Sequence, residues 1–209
     1  MKIMKAIALM LIGVTTLSAG EWQPLFDGSS LDGWKPSETP GVFTIVDDGT
    51  LKVEGGRSHL FWMGTDSIPG AFTDFELRAK VKTTPGSNSG IFFHTEYEET
   101  GWPAHGYEAQ VNSTHKDARK TGSIYAVQDV MNDSPSTDGE WFDYLIRVEG
   151  QVITISVDGQ VVNEYTEPSK LKPEKRFKNR RLSSGTFAIQ GHDPKSITYY
   201  REIRVRSLK

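Results

Sequence analysis

The sequence predicts an all-β protein, a single domain built as a sandwich of two sheets. Three observations carry this. Apolar and polar residues alternate with a period of two in many short runs, which is the pattern of strands with one buried face. Asp-Gly dipeptides sit between pairs of such runs, a strong short-range hairpin signal. No segment holds a helical period, and 20 Gly and 10 Pro punctuate the chain at short intervals. Many short strands of this kind in 209 residues fit one two-layer domain with a substantial core.

The elements follow in chain order. "FTIVDDGTLKV" forms a hairpin around Asp48-Gly49. "FELRAKVK" alternates Phe75, Leu77, Ala79 and Val81 with Glu76, Arg78, Lys80 and Lys82, so its apolar file faces inward and its charged file faces solvent. "GIFFHTE", "GYEAQVN" and "GSIYAV" read as three further strands. "YLIRVEG" precedes "VITISVDGQVVNEY", a second hairpin that turns at Asp158-Gly159. "GTFAIQGH" and "REIRVRSL" complete the set. Between them, "EPSKLKPEKRFKNRRLSSG" (167–185) has no period and reads as a solvated cationic loop.

The N-terminus is different. Lys2 and Lys5 precede an apolar run from Ala6 to Val14, followed by the small residues Thr15, Thr16, Ser18, Ala19 and Gly20. That order marks residues 1–20 as a secretory signal peptide, with a single domain over 21–209. The run is too short to span a bilayer of about 30 Å. No cysteine is present to carry a lipid, so no membrane anchor is expected, and disulfides and thiolate metal sites are excluded. The expectation is a bacterial protein, secreted or periplasmic. With 24 Lys and Arg against 27 acidic residues, net −3, there is no overall basic field for nucleic acid.

The period of two also sorts the unusual residues. Tyr107, Ala109 and Val111 face one way, and Glu108, Gln110 and Asn112 the other. Phe92, His94 and Glu96 share a face opposite Ile91, Phe93 and Thr95. Tyr125 points outward between Ile124 and Ala126, and Gln190 and His192 point away from Phe187 and Ile189. A merely solvated face carries Lys, Glu and Thr, whereas these files carry His, Gln, Asn, Tyr and Glu. Such groups suit a polyhydroxylated ligand, with bidentate amides and carboxylates binding hydroxyls and Trp102 or Tyr125 stacking on a sugar face. His115 and Lys116, in the turn "NSTHKD", either line the mouth of the site or are plain loop residues.

"WQPLFDGSSLDGW", "DFELRAKVKTTPGSNSGIFFH", "GYEAQV", "TGSIYAV", "GEWFDYLIRVEGQVITISVDGQVVNEY" and "SGTFAIQGHDPKSITYYREIRVRSL" resemble, in this order, the 3-keto-disaccharide hydrolase domain family. The resemblance implies a concanavalin A-like jelly roll with its ligand groove on a concave sheet. It also implies cleavage of glycosides oxidised to a ketone at sugar carbon 3. In many relatives the strand corresponding to "GIFFH" ends in Arg, and the C-terminal motif is closer to "LQDHG". Here His94 and His192 stand at or near those places.

A ketone at C3 acidifies the C2 proton, and the C1–oxygen bond is β to that ketone. Removing the proton therefore allows the glycosidic oxygen to leave by elimination. The outcome is a lyase if the enone is released and a hydrolase if water then adds. The site needs a base at C2, a donor or cation at the ketone oxygen and an acid at the leaving oxygen. His94 or Glu108 is the candidate base, and Tyr125, Gln110 and His192 are candidate donors, with Lys116 nearby. Substrate contacts are expected from Glu96, Trp102, Gln110, Asn112, Lys116, Tyr125 and Gln190. Glu96 with Glu108 would be the pair for a conventional two-carboxylate mechanism. No motif identifies a cofactor, but His94, Glu108 and His192 could converge on a divalent metal. A non-catalytic carbohydrate-binding module is the alternative, since a sandwich face can bind glycans without reacting on them. Oligomeric state is not encoded in any of these features.

Overall fold

The computed structural model describes residues 20–172 and 177–208. The expected signal peptide therefore lies outside the described residues, apart from Gly20. Among the described residues thirteen strands form two antiparallel sheets: β1 (Gln23–Phe26), β2 (Trp34–Pro36), β3 (Phe43–Val46), β4 (Thr50–Glu54), β5 (Ser58–Trp62), β6 (Phe75–Thr83), β7 (Ser89–Thr95), β8 (Tyr107–Val111), β9 (Phe142–Glu149), β10 (Val152–Val157), β11 (Gln160–Thr166), β12 (Thr186–Gly191) and β13 (Ile197–Ser207). The larger sheet runs β11-β10-β9-β6-β13-β4-β3, with β1 also paired to β13, and the smaller runs β2-β5-β12-β7-β8. A 3-10 turn spans Pro40–Val42, and among the described residues no helix is long and apolar enough to cross a membrane. The fold is the expected jelly-roll sandwich.

Alternation positions the layers. Phe75, Leu77, Ala79 and Val81 of β6 and Tyr144, Ile146 and Val148 of β9 face Ile91 and Phe93 of β7, Ala109 and Val111 of β8, and Phe187 and Ile189 of β12 in one continuous core. Burying a side chain of this size is worth about 1.5–3 kcal/mol, so the alternation dictates which face of each strand turns inward. The Asp158-Gly159 hairpin joins β10 to β11 with both residues at positive φ (49° and 78°), the backbone that a two-residue turn needs.

The smaller sheet has a second apolar layer on its outer side, where Phe61, Phe92 and Ala188 pack beneath Tyr97. A strand buried on both faces loses its alternation. That is why "SHLFW" of β5, buried at all five positions, gave no period in the sequence.

Two expectations change. "GSIYAV" is not a regular strand but a turn, tied to β8 by a bridge between Ala109 and Ile124 and closed on itself by a second between Ile124 and Gln128. Ala126 takes φ +57°, which ends any extended run there. His94 also departs, with φ +55° near the end of β7, where the pairing with β12 shifts register between Thr186 and Phe187. Past that residue the alternation no longer predicts a face.

Candidate active site

A cavity of about 460 Å³ opens on the outer face of the smaller sheet. Phe92 of β7, Glu108 and Gln110 of β8 and Gln190 of β12 form its floor, and Asn88 and His192 flank the strand ends. Its walls come from three loops. One contributes Trp102, Pro103 and Ala104, the turn after β8 contributes Tyr125, and the segment before β12 contributes Phe177, Asn179 and Arg180.

Glu108 is the centre of the floor. Gly90 stands on the neighbouring strand, where a Cβ would come within 2.6 Å of Glu108 Oε1, so the carboxyl lies flat only because no side chain is there. Gln190 Nε2 donates to Oε1 at 2.8 Å. Gln110, with its amide turned so that both atoms find partners, donates to the same oxygen at 3.0 Å and to Ser89 O at 3.2 Å. Burial dominates its titration and pushes the Glu108 carboxyl up to about 7, against the hydrogen bond from Gln190 and the charge of Arg180. Gln190 Oε1 is buried and has no partner, an acceptor left over for a ligand hydroxyl.

Arg180 supplies the cation. It is 9% exposed, its guanidinium packs over the Phe177 ring at 3.7 Å, and Nη1 donates to Tyr125 O at 2.5 Å. Burial lowers its pKa, and Glu108 is the largest influence in the other direction. Sequence reasoning missed this residue. It lies in the run whose composition reads as a solvated cationic loop, and the available signal is the aromatic and amide residues set among the charges in "FKNRR".

His192 Nδ1 donates to Asp193 Oδ2 at 2.8 Å, and Asp193 also receives Ser196 Oγ at 2.7 Å and Lys195 N at 2.9 Å. Burial alone would raise the Asp193 pKa, but the hydrogen bonds outweigh it and hold the group at about 2. The His192 ring lies 5.4 Å from Trp102 and 5.5 Å from His115. Ligand atoms of His115, His192 and Asp193 all fall within 4.8 Å of one another, so this trio could hold a cation at the pocket edge. It differs from the expected trio, because Glu108 and His94 are not part of it.

His94 is the main correction. Its ring turns to the core side, 5.5 Å from Phe75 and 5.9 Å from Phe93. Nε2–H donates to Thr73 O at 2.8 Å, and Nδ1 accepts from Ser183 N at 3.2 Å. Burial lowers its pKa, partly offset by the Thr73 carbonyl, so the ring stays neutral and braces three segments. Gly106, at φ +70°, permits the close approach, since a Cβ there would meet Phe93 O at 2.0 Å.

Other expected contacts also fall outside the cavity. Glu96 is exposed and lies 3.0 Å from His105 Nδ1, so it does not pair with Glu108 across a substrate. Asn112 is fully buried and braces its own loop, donating to Asp117 O at 3.0 Å and Arg119 O at 2.7 Å while accepting from His115 N. Lys116 is exposed and does not line the cavity. Glu108, Gln110, Gln190, His192, Trp102 and Tyr125 are brought together.

Comparison with known proteins places the fold and the family. A candidate glycosyl hydrolase from Parabacteroides distasonis superposes with a TM-score of 0.75 at 19% identity, covering 91% of this chain and 94% of that one. The carbohydrate-binding module CBM66 from Bacillus subtilis gives 0.58 at 13% identity, covering 84% and 96%. Likeness at these identities establishes the shared fold. A protein named 3-keto-disaccharide hydrolase from Bacteroides thetaiotaomicron is 28% identical over 68% of this chain, which spans 57% of that relative's length. Over residues 21–206 the chain matches, and belongs to, the 3-keto-alpha-glucoside-1,2-lyase-like domain family.

Proposed function

We propose that the protein is an exported enzyme that cleaves 3-keto glycosides by elimination, with Glu108 as the base at C2. The observation that carries this is the state of Glu108. A carboxyl on a cavity floor with a pKa of about 7 is a strong enough base for a C–H acidified by a ketone, and is substantially ionised at neutral pH. Its electron pair takes the C2 proton, and the C2–H electrons form an enolate with the C3 oxygen. The enolate collapses, the C1–oxygen bond breaks and a C1–C2 double bond remains. Arg180 and the neighbouring amides are the groups suited to the negative charge at the ketone oxygen. His192, oriented by Asp193, is suited to protonating the leaving oxygen. Release of the enone makes the enzyme a lyase, and addition of water across the new double bond makes it a hydrolase. Trp102, 44% exposed at the cavity wall, offers a face for the sugar C–H groups.

The test is incubation with 3-keto-trehalose, 3-keto-glucosides and the unoxidised parent sugars, followed by product analysis. Turnover of the keto compounds alone is expected. Cleavage of the parents would contradict the role of the ketone, and binding of both without cleavage would assign the pocket to a binding module. Export rests on the N-terminal pattern of residues 1–20, and a mature protein starting at Ala19 or Glu21 in intact-mass analysis would support it.

A further inference from the structure

On the side of the sandwich opposite the cavity, the larger sheet collects positive charge. β6 points Arg78, Lys80 and Lys82 outward, and β13 points Arg201, Arg204 and Arg206 outward beside them. The antiparallel register sets Arg201 directly opposite Lys80, and Arg204 directly opposite Arg78. Like charges in directly opposed positions destabilise a strand pair, and a chain of net charge −3 has no shortage of acids for these places. The acids on this face pair with only some of these cations and with a neighbour on β9. Glu76 accepts from Arg147 and Arg206, and Glu202 pairs with Arg204. Asp143, opposite Lys80 on β9, forms no ion pair with it. Among the described residues Arg78, Lys80, Lys82 and Arg201 form no ion pair within 4 Å, and Arg201 is felt only at longer range by Asp48.

Aromatic rings are interleaved with these cations. Lys82 Nζ lies 4.8 Å from the ring centroids of both Trp141 and Tyr199, and the Arg201 guanidinium lies 3.8 Å from that of Trp141. Arg201 Nε is buried without a hydrogen-bond partner, so a strong donor there is unused.

We infer that this face binds a polyanionic glycan, a chain of uronate or sulfated sugar units lying across β6 and β13. Strands about 4.8 Å apart, with same-face residues about 7 Å apart along each, space the cations as a flat grid suited to a repeating anion. The unpaired cations bind the acidic groups, and Trp141 and Tyr199 offer apolar ring edges to the sugar carbons. A lipid surface fits less well. Of the exposed large apolar side chains among the described residues, only Val161, on edge strand β11, belongs to this sheet, which leaves almost nothing to insert between acyl chains. The inference does not depend on the chemistry proposed for the cavity. Its effect would be to hold the protein on an acidic polysaccharide.

Affinity electrophoresis and calorimetry of the full protein with polygalacturonate, with neutral dextran as control, test it. Binding to polygalacturonate alone is expected, falling steeply as salt is added. The double variant Arg78→Ser/Lys80→Ser should bind about tenfold more weakly, with an unchanged or raised Tm and unchanged activity toward the keto substrate. If that variant does not fold, Lys80→Gln replaces it and should still weaken binding measurably. Lys170→Ser/Lys172→Ser, in the loop before β12, should leave binding unchanged. Four results would overturn the inference: no binding at low salt, binding that survives loss of Arg78 and Lys80, an equal loss from the loop variant, or equal affinity for anionic phospholipid vesicles or single-stranded DNA.

Discussion

Glu76 and Glu108 are both buried carboxylates on outer faces of the sandwich, 6% and 7% exposed, and they show how differently the two sheets use the same side chain. Glu76, on the larger sheet, is held directly by two guanidiniums, with Arg206 Nε at 2.6 Å and Arg147 on its other oxygen. Its charge is neutralised locally and nothing around it is left open. Glu108, on the smaller sheet, is met by neutral amides at 2.8 and 3.0 Å, and its cation, Arg180, stands off across the cavity. The carboxyl is therefore raised to about 7 and faces open space. Burial is common to the two, and what separates them is that Glu76 is closed off by two guanidiniums while Glu108 lines a cavity.

The largest expected effect comes from breaking that contrast at Glu108. Glu108→Gln keeps size and hydrogen bonding but removes the base, so kcat should fall by about 10²–10⁴, with the fold intact by circular dichroism. The same variant sharpens the contrast in stability. The folded-state pKa of Glu108 is raised, so its contribution to stability is fully present below the ordinary carboxylate pKa and is lost as pH rises through about 7. Replacing it should therefore make the protein more stable than wild type above neutrality, approaching about 3 kcal/mol, with little difference near pH 4. Chemical denaturation across that range measures this. For the active enzyme, kcat/KM should rise with pH through about 7 as the base ionises.

His94→Ala tests the opposite assignment. The ring braces Thr73 and Ser183 on the core side, so its loss should cost about 2–3 kcal/mol while kcat of the folded protein stays within a small factor of wild type. A catalytic loss without destabilisation would return His94 to the chemistry. The smallest effect is expected from Glu76→Gln, which leaves two partly exposed guanidiniums facing each other. A cost of about 1–2 kcal/mol and no change in activity would mark it as structural.

How far the site could be read from the sequence depends on where the backbone stays regular. Along β8 the period of two is unbroken, and Glu108 and Gln110 lie on the face opposite Tyr107, Ala109 and Val111, as alternation requires. The same holds for Gln190 on β12. At His94 and Ala126 a left-handed residue interrupts the run, and period-based reasoning has no way to see a positive φ in a non-glycine residue. Arg180 was hidden for another reason. A loop has no period, and a buried cation there is indistinguishable in sequence from its solvated neighbours until the fold brings it against Phe177 and Tyr125. The sandwich itself was legible because hairpin turns and alternation are local signals repeated many times.

The central claim is that Glu108 removes the C2 proton, and the most direct measurement follows that atom. 3-Keto-trehalose carrying deuterium at C2 is incubated with wild-type protein and with Glu108→Gln, and both sugar release and label are recorded. Wild type should cleave it with loss of deuterium to solvent or a primary isotope effect, and the variant should do neither at an appreciable rate. Cleavage with full retention of the C2 label, or wild-type rates of deuterium loss from the variant, would contradict the account.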